Sequence, residues 1–151
     1  MVVLEATLRG HPERRKLVKR LEDVVRDLGK PTQPIISKVT SARLISVLAR
    51  YTNRMVKGDM IDILKRVLGH NEIEARKVWV SEIFPRLLNN LDLEFIELHL
   101  QEKIYEAVWD DNEEIGVLAL ESILRNATKF SLEEQNSRIV KLFIDSLTSK
   151  N

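Results

Sequence analysis

Apolar residues recur along the chain at helical spacing, and short polar turns interrupt them at close intervals. Residues 2–9 predict a helical stub closed by Gly10. Pro12, whose fixed φ suits a first helical residue, predicts the next start, with Leu17, Leu21, Val24, Val25 and Leu28 along one face and Gly29 at the end. Lys30-Pro31-Thr32-Gln33-Pro34 is the one linker, because two prolines forbid a continuous helix. A helix from about Lys38 to Tyr51 follows, carrying Val39, Ala42, Leu44, Ile45, Val47 and Leu48. Asp59 predicts the cap of a shorter helix through Leu68, closed by Gly69.

The pattern sharpens in the C-terminal half. Asn71 or Glu72 opens a helix to about Asn90, which Pro85 should kink because it lacks the N–H the helix needs. Asp92 caps a helix to about Trp109, Asp110-Asp111-Asn112 makes a tight acidic turn, and a helix spans 113–130. Ser131, with Glu133 and Glu134 in the first turn, predicts the start of a last helix to about Thr148. Seven helices and a stub result, with no strand. The expected class is all-α.

Helices this closely spaced form antiparallel hairpins, and hairpins either close into a bundle or stack into a solenoid. Internal repetition favours stacking. Ser41-Ala42-Arg43 recurs as Glu74-Ala75-Arg76, and further on Ile115-Gly116 takes the same place. Ala119-Leu120 then matches Trp79-Val80, and Ile123-Leu124 matches Ile83-Phe84.

The stretch IYEAVWDDNEEIGVLALESI, Ile104 to Ile123, resembles a HEAT repeat: an apolar helix, an acidic turn, then a second helix with an apolar residue, usually an Arg, and small residues. Leu64 to Phe84, with Ala75-Arg76, is a looser copy, and Ala42-Arg43 a looser one still. The likeness covers residues 35–148 and is similar to the repeats of serine/threonine phosphatase regulatory scaffolds and nuclear transport receptors. It departs at Gly116, where Arg is usual, at Gly69-His70, which replaces the acidic turn, and at the Pro-rich insert of the first repeat. The resemblance implies a right-handed superhelix of three to four stacked antiparallel hairpins.

Length and composition agree with this reading. The 151 residues suffice for a single domain or one short run of repeats, here a basic N-terminal helical part at 1–30 and a repeat-like part at 35–148. Apolar residues at 44% supply a core, while 5% aromatics and few Gly and Pro argue against a sandwich or barrel. Without Cys there is no disulfide framework, thiolate zinc site or thiol chemistry. No apolar run approaches a membrane span, and the opening lacks the apolar core of a signal peptide, so a cytoplasmic or nuclear location is expected. The apolar opening Met1-Val2-Val3-Leu4 reads as a cut through a hairpin, as in a segment of a longer solenoid. The net charge of +1 hides a split: through Lys57 there are 13 basic residues against 5 acidic, and from Gly58 onward 11 against 18. A basic end and an acidic end suit head-to-tail association between copies.

Catalytic motifs are missing: there is no Gly-rich phosphate loop, no paired-histidine zinc helix and no nucleophile elbow. His11, His70 and His99 are scattered. His70, Glu72 and Glu74 form the one imaginable metal set, but a solvated turn explains them, and no metal or other cofactor is expected. Asp110/Asp111 and Glu113/Glu114 need an apolar cleft to act as acid and base, whereas capping the next helix explains them without one. Arg14, Arg15, Lys16, Lys19 and Arg20 lie opposite Leu17, Leu21 and Val24, an outward basic patch suited to solvent, an acidic protein, an anionic membrane surface or nucleic-acid phosphates. Trp79 reads as core, and Trp109, beside two Asp, as either core or interface anchor. Arg43 and Arg76 are expected to join inter-repeat hydrogen bonds to acidic turn residues.

The expected function is therefore protein binding without chemistry, through a helical-repeat surface bearing Arg43, Arg50, Arg76, Trp109 and Arg125, with Glu82 on the same face. Nucleic-acid binding through the basic N-terminal half is the alternative.

Overall fold

The structure, a computed structural model, describes residues 1–52 and 54–148; the side chains of Val2, Arg54, Met55, Val56, Lys57 and Asn136 lie outside the description. Every regular element among the described residues is helical: α1 (Val2–Gly10), α2 (Arg14–Leu28), α3 (Ile35–Leu48), α4 (Arg54–Leu68), α5 (Ile73–Val78), α6 (Phe84–Asn90), α7 (Leu93–His99), α8 (Gln101–Ala107), α9 (Glu113–Arg125), the short α10 (Leu132–Glu134) and α11 (Val140–Thr148). π-helical turns at Trp79–Ile83 and Gln135–Ile139 join α5 to α6 and α10 to α11, and a 3-10 turn at Ala127–Lys129 follows α9.

The hydrophobic pattern sets which faces are buried. In α2 only Val18 and Val25 are buried outright, while the cations of its first half face solvent, as a surface helix requires. By contrast α3 is buried around most of its circumference, from Val39 through Ala42, Leu44, Ile45, Val47 and Leu48. Two serines are buried with it, and both are satisfied: Ser41 donates to Val25 O at 2.8 Å and Ser46 to Arg43 O at 2.6 Å. One continuous core runs from Leu8 to Ile139, with Met1 and Leu4 packed partly against it; of the expected Met1–Leu4 cut, the Val2 side chain lies outside the described residues. Trp79 and Phe84 are fully buried at its centre with their rings 5.9 Å apart, and the Trp79 indole N–H donates to Leu64 O at 3.0 Å.

Several element boundaries differ from the sequence expectation, each for a local reason. Helix α2 starts at Arg14 rather than Pro12, because the Glu13 N–H is taken by His11 Nδ1 at 3.0 Å and the chain turns there first. Helix α3 starts at Ile35, directly after Pro34 in extended conformation, and not at Lys38. Asp59 lies inside α4 and so caps nothing; its carboxylate sits 3.5 Å from Arg26. Asp92 stands at the N-cap of α7 without a side-chain cap bond, and the single helix expected to Trp109 is broken at Leu100, with no Gly or Pro to announce it. The helix expected over 113–130 stops at Arg125, where the Asn126 N–H turns back onto the last carbonyls.

Two expectations hold with a mechanism. Ahead of Pro85 the helix widens by one π turn, in which the Phe84 N–H bonds to Trp79 O, so the carbonyl that the proline ring would strike is moved aside. Ser131 caps α10 by accepting from the Glu134 N–H at 3.2 Å.

Two glycines mark close approaches, Gly29 at the C-cap of α2 as expected and Gly116 inside α9. Gly29 has an ordinary helical φ, and a Cβ there would lie 2.6 Å from Ile63 Cδ1. At Gly116, inside α9, a Cβ would lie 2.6 Å from the backbone oxygen of Val108. A side chain as large as arginine therefore has no room at Gly116.

Candidate partner-binding surfaces

The arginines singled out from the sequence fall into two environments. Arg76 is mostly buried, with side-chain exposure of 16% against 14% for Asp110, and the two form a bidentate pair at 2.9 and 3.2 Å. Its remaining donors bond His70 O at 2.7 Å and Asn71 O at 2.9 Å, tying the turn before α5 to the acidic turn before α9. Asp110 Oδ1 also accepts from the Asn112 N–H, and Asn112 itself caps α9 through the Ile115 N–H. Asp110 thus holds the turn and the arginine together, and Asn112, not the acids, caps the helix.

Arg43 likewise reaches across the chain, to Glu82 at 3.0 Å. Glu82 also faces Arg86, and Arg86 pairs with Glu5 of α1 at 3.1 Å, so four side chains from four elements form one half-buried network. Arg43 meets a helix residue where an acidic turn residue was expected. Arg50 is exposed and donates to Asn89 O at 3.1 Å. Arg125 is exposed at the end of α9.

The spacing of these bonds is regular. Arg43 to Glu82 and Arg50 to Asn89 each span 39 positions, while Arg86 to Ser46 and Lys129 to Asn89 each span 40. Near-equal offsets at Arg43, Ser46 and Arg50, with Asn90 reaching back 44 positions to Ser46, are what two segments running in the same direction produce.

Trp109 is half exposed at the rim of a cleft of about 380 Å³ between α8 and α11. Buried Tyr105 lies in its wall, its hydroxyl donating to Glu134 at 3.0 Å, while the Arg138 guanidinium stacks 4.6 Å over the ring and pairs with Glu102. Burial pushes the Tyr105 phenol well above the ordinary tyrosine range, and the neighbouring Glu134 carboxylate adds to the shift. Arg138 in turn holds the Glu102 carboxyl below its usual value. On α11 itself, Val140, Phe143, Ile144 and Leu147 form an outward apolar stripe opposite this cleft.

The basic patch is as exposed as its sequence pattern requires: Arg14, Arg15, Lys16, Lys19 and Arg20 all face solvent. Lys16 meets Glu13 at 3.7 Å, and Arg14 stacks 4.9 Å over Tyr51. Of the histidines, His70 Nδ1 accepts from the Glu72 N–H at 3.0 Å and His99 packs 4.7 Å from the Phe95 ring. Among the described residues no three His, Asp or Glu side chains converge as metal ligands, and no described helix is long and apolar enough to cross a membrane.

Sequence reasoning missed the Glu5–Arg86–Glu82 network and the Tyr105–Glu134–Arg138 cluster. Apart from the i,i+4 pair Glu82–Arg86, both join residues far apart in the chain at unequal separations, which no local pattern of the sequence announces. No family model matches the chain, and no curated protein matches it.

Proposed function

We propose that the chain is a non-enzymatic protein-interaction module, built as a superhelix of stacked HEAT-like hairpins and working in the cytoplasm or nucleus. The observation that carries this reading is the repeated offset of 39 to 40 positions among the bonds linking α3, the segment from Trp79 to Asn90 and the turn after α9. Equivalent positions of successive units then lie side by side, as stacked repeats require, and a row of such units presents an extended surface rather than one reactive pocket. Arg76 with Asp110 acts as a tie between units and Arg43 with Glu82 as a second one, so the binding duty falls on the exposed side chains: Arg50, Arg125 and Trp109.

Nucleic-acid binding through Arg14, Arg15, Lys16, Lys19 and Arg20 is the competing reading, favoured by their common exposure. The test is binding to a generic DNA duplex between about 50 and about 200 mM salt. Protein binding predicts only weak association, gone at the upper end. Tight binding with a steep logarithmic salt slope, reduced by neutralising Lys19 and Arg20, contradicts it.

A further inference from the structure

Four arginines from three separate segments gather around Tyr51. Arg9 from α1 and Arg50 from the end of α3 line a cleft of about 300 Å³, together with Glu5, Tyr51, Asn89 and Asn90. Arg14 stacks 4.9 Å over the Tyr51 ring and donates to Arg9 O at 3.4 Å, and Arg15 lines, with Glu22, the hollow on that side of Tyr51. Among the described residues no carboxylate forms an ion pair with Arg9, Arg14, Arg15 or Arg50, whereas Arg43, Arg76, Arg86 and Arg138 each have one. The acid within the cleft, Glu5, is already held by Arg86. The cleft is therefore net positive, with guanidinium donors to spare on Arg9 and Arg50.

The two asparagines say what kind of anion fits. Asn89 Oδ1 accepts from Lys129, so its amide N–H groups remain as donors. Asn90 donates to Ser46 O at 2.7 Å, so its Oδ1 remains as an acceptor. One donor and one acceptor side by side match the N–H and C=O of an extended peptide. A phosphate backbone, which carries acceptors alone, leaves Asn90 Oδ1 unmatched. The ring face of Tyr51 is covered by Arg14, so no platform for a nucleic-acid base stands beside the cations.

We propose that the cleft between α1, the end of α3 and the end of α6 binds a glutamate- or aspartate-rich extended segment of a partner protein. Arg9 and Arg50 take its carboxylates, and Asn89 and Asn90 take its backbone. This rests on the protein-binding reading above and names the chemistry of the partner.

The experiment is fluorescence anisotropy of the full chain with a labelled oligoglutamate peptide, against oligoglutamine of equal length and a DNA duplex. Oligoglutamate is expected to bind and oligoglutamine not. Arg9→Gln with Arg50→Gln should weaken oligoglutamate roughly tenfold or more, the loss expected for one charge-assisted hydrogen bond, while Lys65→Gln, at an exposed lysine of α4 outside the cleft, leaves it unchanged. Arg9→Gln with Arg15→Gln, which leaves the Arg50 bond to Asn89 in place, serves as a second variant if loss of that bond disturbs folding, checked by circular dichroism. Equal oligoglutamate binding by the folded variants and the wild type overturns the inference, as does a duplex that binds where oligoglutamate does not. If oligoglutamate fails to bind while the chain still captures a nuclease-resistant protein, the cleft assignment falls and the protein-binding reading stands.

Discussion

The same substitution, Gly→Ala, should have opposite effects at two helix-interior positions. In α4, Gly58 has nothing within 4 Å of the place its Cβ would occupy. Ala there gains helix propensity and narrows the unfolded ensemble, worth about 0.5 to 1 kcal/mol. In α9, the same gain at Gly116 meets the Val108 carbonyl oxygen at 2.6 Å, where a relaxed carbon–oxygen contact needs roughly 3.3 Å. The obstacle is backbone, and Val108 ends α8, so α8 and α9 must separate by roughly 0.7 Å over a packed seam that includes Ile104, Ile115 and Ala119. Overpacking of this kind costs about 1 to 3 kcal/mol, which outweighs the propensity gain. Gly116→Ala should therefore destabilise by about 1 to 2 kcal/mol, lowering Tm by roughly 2–8 °C, while Gly58→Ala raises it by a few degrees. Urea unfolding followed at the helical circular-dichroism band measures both. If Gly116→Ala proves as stabilising as Gly58→Ala, the close approach of α8 to α9 is wrong, and with it the steric reason for glycine at this position.

Asp110→Ala should cost about 3 kcal/mol, because it leaves the mostly buried Arg76 guanidinium half satisfied; a double-mutant cycle with Arg76→Met should return a coupling above about 1 kcal/mol, and a value near zero would remove the tie between these turns. Ala119→Glu buries an unpaired carboxylate at a fully buried position and should unfold the chain at moderate temperature, whereas a normal melting curve would break the register of α9. The Tyr105 phenol is raised in the folded state above its unfolded value, so its contribution to stability is complete below the ordinary tyrosine range, near pH 10, and is lost as pH rises beyond it. A spectroscopic titration should find one tyrosine ionising only with alkaline unfolding, and a normal phenol at this position would contradict the bond to Glu134.

Much of the helical layout was legible because apolar spacing is set by which face is buried, and that is a local property of the sequence. The stripe of α2, the acidic turn at Asp110-Asp111-Asn112, the Ser131 cap and the disruption before Pro85 all follow from residues within one or two turns of each other. The break at Leu100 was not legible: it involves buried Leu100 and Gln101 in ordinary-looking helical sequence. Asp59 and Asp92 were misleading for a different reason, since a capping residue type does not guarantee that its oxygen reaches the first-turn N–H groups. For the candidate surface, the sequence could mark Arg14, Arg15 and Arg50 as cations but not bring Arg50 to Arg9. That meeting depends on how α1 packs beside the chain just after α3, which only the packed structure fixes.

The reading of the chain as a protein-binding module is tested most directly by affinity capture from native lysate, with and without nuclease, using the wild type beside a folded Arg9→Glu/Arg50→Glu variant. The wild type should recover a discrete protein whose amount is indifferent to nuclease and falls in the variant. Recovery that collapses on nuclease treatment would contradict the reading and assign the work to the basic face of α2.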